Sequence, residues 1–163
     1  MPLSTPALIP VPATPWLAVE LHFPIAEAAA HLDPAIHEVL TALAYHGLSP
    51  AGPLVCRHVA RPTTHFHVEC GFPVPSGASF LTSGRLVLST LPETQVFRAV
   101  YRGGYDGLAG AWGEFMGALP GLLSAHPTLA PSGPFRESYL TDPSSVPDPD
   151  QWETLLDIEL NLR

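Results

Sequence analysis

The chain has 163 residues, 46% of them apolar, with 20 prolines and 13 glycines, enough apolar material for one loop-rich domain with its own core. Its seven basic residues are all arginine and face 15 carboxylates, for a formal charge of −8. With no lysine, phosphate-cradling P-loops and Schiff-base chemistry are excluded, and no basic face is left for direct nucleic-acid binding. No apolar run reaches the roughly 18 residues of a membrane span, and the start lacks the basic and apolar parts of a signal peptide, so a cytoplasmic protein is expected.

Residues 1–15 carry five prolines and read as a tail leading into a strand. From Trp16 to Phe23 the pattern alternates, with Leu17, Val19, Leu21 and Phe23 on one side and Glu20 and His22 on the other, as in a half-buried strand. Asp33 and Pro34 then give an N-cap and a first-turn proline, Ile36, Val39, Leu40 and Leu43 share a helical stripe, and Gly47 supplies the stop. A turn over 48–53 leads into extended stretches at Leu54–Val59 and Thr64–Val74, and a further strand spans Arg85–Leu91. The second half repeats the order. Thr94–Arg102 is extended, Leu108, Trp112, Phe115, Met116 and Leu119 form a helical stripe, 129–134 reads as a turn, and strands follow at Phe135–Leu140 and Trp152–Leu160.

LSPAGPLVCRHV and LAPSGPFRESYL align without a gap, which marks an internal duplication. The predicted fold class is α+β: two βαββ repeats, about 16–76 and 85–163, related by pseudo-twofold symmetry within a domain spanning 16–163. An antiparallel sheet carries both helices on one face, and a ligand cleft is expected between the repeats.

Cys56 and Cys70 are too few for a disulfide framework or a four-thiolate zinc site and read as reduced and partly buried. His65, His67 and Glu69 would share one strand face, but strand histidines two apart are usually surface residues, and no metal or other cofactor is expected. No strained glycine-flanked serine offers a nucleophile. Aromatic residues carry more weight. Phe72, Phe97, Tyr101, Tyr105, Trp112 and Trp152 lie in or beside predicted elements, where rings can hold flat or cationic organic molecules. Trp112, mid-stripe, is the one most expected in the core. On the last strand Glu153, Leu155, Asp157 and Glu159 point one way and Thr154, Leu156, Ile158 and Leu160 the other.

VECGFPV (68–74), YRGGYDGLAGAW (101–112) and YLTDPSSVPDPDQW (139–152) together resemble the GyrI-like small-molecule-binding family, which also supplies the effector-binding half of AraC-type and MerR-type multidrug regulators. The resemblance implies paired βαββ units around a cleft for varied, often cationic and aromatic compounds. With no helix-turn-helix before Trp16, it implies a stand-alone form. That family commonly places a glutamate three residues after the tryptophan of the last motif, and here that position is Leu155. Glu153 and Asp157, on the same strand face, are the candidate substitutes about 6–7 Å away.

The leading reading is a binding module that senses or sequesters an aromatic or amphipathic ligand, with Phe72, Tyr101, Tyr105, Trp112, Trp152, Glu153, Leu155 and Asp157 as candidate contacts. The alternative is a hydrolase of reactive electrophiles such as cyclopropane-bearing genotoxins, with Glu153 or Asp157 positioning water. A third is a gyrase-inhibitor-like module acting through the acidic surface of 142–157, with gyrase or a regulator as protein partner.

Overall fold

The computed structural model describes residues 2–80 and 84–163. Its fold is α+β, built from eight antiparallel strands and two long helices. In chain order these are β1 (Ala7–Val11), β2 (Thr14–Pro24), α1 (Ala28–Tyr45), β3 (Leu54–His58), β4 (His65–Pro73), β5 (Leu86–Leu91), β6 (Thr94–Arg102), α2 (Leu108–Ala125), β7 (Leu129–Tyr139) and β8 (Glu153–Leu162). Short 3-10 turns, Ile25–Glu27 and Tyr105–Gly107, lead into α1 and α2 at matching points, as a duplicated sequence requires. Among the described residues no helix is long and apolar enough to cross a membrane.

The chain forms two compact units, Met1–Val11 with Thr94–Arg163, and Pro12–Glu93. In the first, β6 pairs with β1 and β8, and β8 pairs with β7. Phe97, Ala99 and Tyr101 of β6 and Leu156, Ile158 and Leu160 of β8 form one core with Ala111 and Phe115 of α2. Phe97, Phe115 and Leu156 have no accessible surface, so this layer contributes roughly 2 kcal/mol or more per large side chain. In the second unit, β2 lies between β4 and β5, and β4 also pairs with β3. Leu17, Val19, Leu21 and Phe23 are buried at the alternation read from sequence.

Several local expectations are corrected. The segment 1–15 is more than a tail: Ala7–Val11 pairs with Thr94–Arg98, and Leu3 and Val11 are buried. Its prolines fit because an edge strand tolerates a missing N–H. Helix α1 begins at Ala28, so Pro34 lies inside it rather than in its first turn, and Leu40 is exposed. Three consecutive alanines at 28–30 extend the helix upstream of the expected cap. Residues 129–134 are not a free turn but the first part of β7, with a register shift between Pro131 and Phe135 that absorbs Gly133 at φ +113°. Cys56 and Cys70 are not reduced. They are direct cross-strand partners on β3 and β4, with Cα atoms 4.3 Å apart, and form a disulfide.

Candidate ligand-binding site

Strand β7 alternates Phe135, Glu137 and Tyr139 on one face with Arg136 and Ser138 on the other. Phe135 opposes Ile158 and Glu137 opposes Leu156, and both partners belong to the core shared with α2. Directly opposed residues share a face, so Phe135, Glu137 and Tyr139 all lie on the helix side of the sheet. A carboxylate therefore stands where the pattern calls for an apolar residue.

The rings around it come from four segments. Trp112 of α2 stacks on Phe115 with ring centroids 5.7 Å apart and meets Phe135 edge-on at 4.8 Å. Its indole Nε1 donates to Glu137 Oε2 at 3.0 Å, while the Tyr139 hydroxyl donates to Glu137 Oε1 at 2.9 Å. Tyr105, on the turn before α2, packs against Tyr139 at 5.5 Å and Trp152 at 4.8 Å. Glu137 is only 8% exposed. Burial, then the charge and hydrogen bond of Glu137, push the Tyr139 phenol well above its ordinary pKa, so it stays a neutral donor. Burial and the charge of Asp142 raise Tyr105 as well.

Two hydrogen bonds fix the walls. The Tyr101 hydroxyl donates to Gly104 O at 2.8 Å, and a Cβ at Gly107 would overlap that hydroxyl. Trp152 Nε1 donates to Val146 O at 2.6 Å, tying the end of the 140–152 segment back on itself. Asp148 accepts from Asp150 N at 3.0 Å, and Asp142 accepts from both the amide and the hydroxyl of Ser144, bonds that lower the Asp142 pKa.

The structure brings together Tyr105, Trp112 and Trp152 of the residues expected from sequence. Tyr101 is buried in the adjoining core, with its ring beneath the loop before α2. Phe72 lies on β4 of the other unit, opposite Leu17. Glu153 is exposed at the start of β8. Leu155 and Asp157 alternate with Leu156 and so face away from α2. Asp157 accepts from Arg98 Nε and Nη2 at 2.7 and 2.8 Å, and Arg136 Nε donates to Glu159 at 2.9 Å on the same face. The carboxylate among the rings is Glu137, which sequence reasoning passed over. Its signal was present as a charged residue two positions from an aromatic on either side, Phe135-x-Glu137-x-Tyr139. The aligned position in the first repeat is Cys56, whose sulfur is bonded to Cys70.

Of the residues weighed for metal, His67 Nε2 lies 3.1 Å from Glu20 Oε1, whereas Glu69 accepts from Arg57 at 3.3 Å. No group of three metal-ligating side chains converges among the described residues.

No protein-family model and no curated protein matches the sequence. Solved structures do match. The C-terminal domain of EcmrR is 18% identical over 96% of this chain and 97% of its own, with a TM-score of 0.75. In the EcmrR–DNA complex this chain spans 58% of the EcmrR chain, with a TM-score of 0.76. SAV2435, solved bound to tetraphenylphosphonium, is 9% identical over 97% of this chain and 94% of its own, with a TM-score of 0.64. A hydrolase from Listeria innocua is 14% identical over 96% and 91%, with a TM-score of 0.68. The fold is shared with all three.

Proposed function

We propose that this protein is a small-molecule-binding module of the GyrI-like kind, and that its ligand is an aromatic organic cation held at Glu137. The observation that carries this reading is a carboxylate, 8% exposed, on the same sheet face as Phe135 and Tyr139 and hydrogen-bonded to Trp112. Ring faces and a carboxylate attract the same thing, a desolvated positive charge. Delocalised cations fit best, because they lose little hydration on entering a site lined by rings. That SAV2435, of the same fold, was solved with tetraphenylphosphonium supports the choice of ligand class.

Hydrolysis with Asp157 as base has no comparable support, since both of its carboxylate oxygens take hydrogen bonds from Arg98. Binding rather than turnover is the role this geometry favours.

The test is a calorimetric titration with tetraphenylphosphonium and with tetraphenylborate, which has the same shape and the opposite charge. Saturable binding of the cation alone is expected. Equal binding of both ions, or of neither, refutes the reading.

A further inference from the structure

We propose that the Thr154 hydroxyl is a ligand contact that selects, among organic cations, those carrying a hydrogen-bonding group beside the charge. This rests on the reading of Glu137 as the cation site.

Thr154 has no accessible surface, and its Oγ1 has no hydrogen-bond partner among the described residues. Buried hydroxyls are nearly always bonded, so an orphan at this depth calls for an explanation. Its position supplies one. Thr154 on β8 is the direct cross-strand partner of Tyr101 on one side and of Tyr139 on the other. It therefore shares their face, the one that carries Glu137, and lies diagonally across from Glu137, whose own partner is Leu156. Such diagonal neighbours are about 7–8 Å apart, the span of one substituted phenyl ring.

The neighbouring hydroxyls are committed elsewhere. Tyr101 donates to Gly104 O, and Tyr139 donates to Glu137. A threonine hydroxyl both donates and accepts, so it can meet an alcohol, amine or carbonyl on the ligand. Valine has the same shape and would fill this strand position without leaving a polar atom unsatisfied. Tyr105, the exposed member of the ring group at 39%, sits on a 3-10 turn outside the regular elements.

The experiment compares two shape-matched cations, (4-hydroxymethylphenyl)triphenylphosphonium and (4-ethylphenyl)triphenylphosphonium, by calorimetry. One hydrogen bond predicts that the wild type prefers the alcohol by about threefold to tenfold. In Thr154→Val the ratio should fall to about one, and in Thr154→Ser, which restores a hydroxyl, the preference should return. Glu137→Gln should weaken both cations alike. Equal binding of the two by the wild type, or a preference that survives in Thr154→Val, overturns the inference while leaving the cation site standing. Failure of both cations to bind the wild type overturns both.

Discussion

Replacing Glu137 by glutamine removes one charge and almost no volume, so its effect can be worked from the contacts. The Trp112 and Tyr139 donors sit 3.0 and 2.9 Å from the two carboxylate oxygens, and the positive centre of a bulky ligand cation is taken to lie about 5 Å from the carboxylate. At an effective dielectric constant of about 20, that pair is worth roughly 3 kcal/mol, and the glutamine dipole recovers a fraction of it. The expected loss of tetraphenylphosphonium affinity is therefore about 30-fold to 100-fold. Folding should change little. The glutamine oxygen can accept from Trp112 while its amide donates to the Tyr139 hydroxyl, so both hydrogen bonds survive without charge assistance, at a cost of about 1 kcal/mol. Calorimetry on wild type and variant, with a melting curve for each, reads both quantities. A cation affinity reduced by less than about threefold would refute the electrostatic argument, as would a melting curve showing that the variant is unfolded.

Gly107→Ala should destabilise the protein by about 1–3 kcal/mol in denaturant unfolding, because the new methyl displaces the Tyr101 hydroxyl from Gly104 O. Burial raises the pKa of Tyr101, Tyr105 and Tyr139, three of the four tyrosines. These phenols hold their protons more tightly in the folded state than in the unfolded chain. Stability is therefore unaffected below pH 10 and falls as the pH rises above it, with phenolate absorbance from these three appearing late. A full phenolate signal developing before any unfolding would contradict this. Thiol titration of the denatured, unreduced protein should find no free cysteine. Reduction should cost about 3 kcal/mol for a cross-link across 14 residues, and an unchanged unfolding midpoint on reduction would count against the cross-link's role.

The duplication shows how far the sequence carries. The aligned segments LSPAGP and LAPSGP look alike, yet the first is irregular and the second is the start of β7. The difference comes from partners: 129–131 pair with β8, and the bulge absorbs the remaining residues before Phe135. The N-terminal prolines misled in the same way, because edge pairing with β6 is a long-range contact that local composition does not encode.

Periodicity by itself determined the order of strands and helices from β2 onward, the faces of β2, β8 and α2, and the α+β class, since each element must bury one stripe or one face. The absence of lysine left lysine-dependent P-loop and Schiff-base chemistry without its residue. Only the tertiary structure decided which carboxylate meets the rings. Glu153, Asp157 and Glu137 are all carboxylates on paper, but strand pairing turns Asp157 toward Arg98, leaves Glu153 exposed and sets Glu137 against Trp112 and Tyr139. A one-residue change of face reverses such an assignment, and faces are fixed by register between strands far apart in the chain.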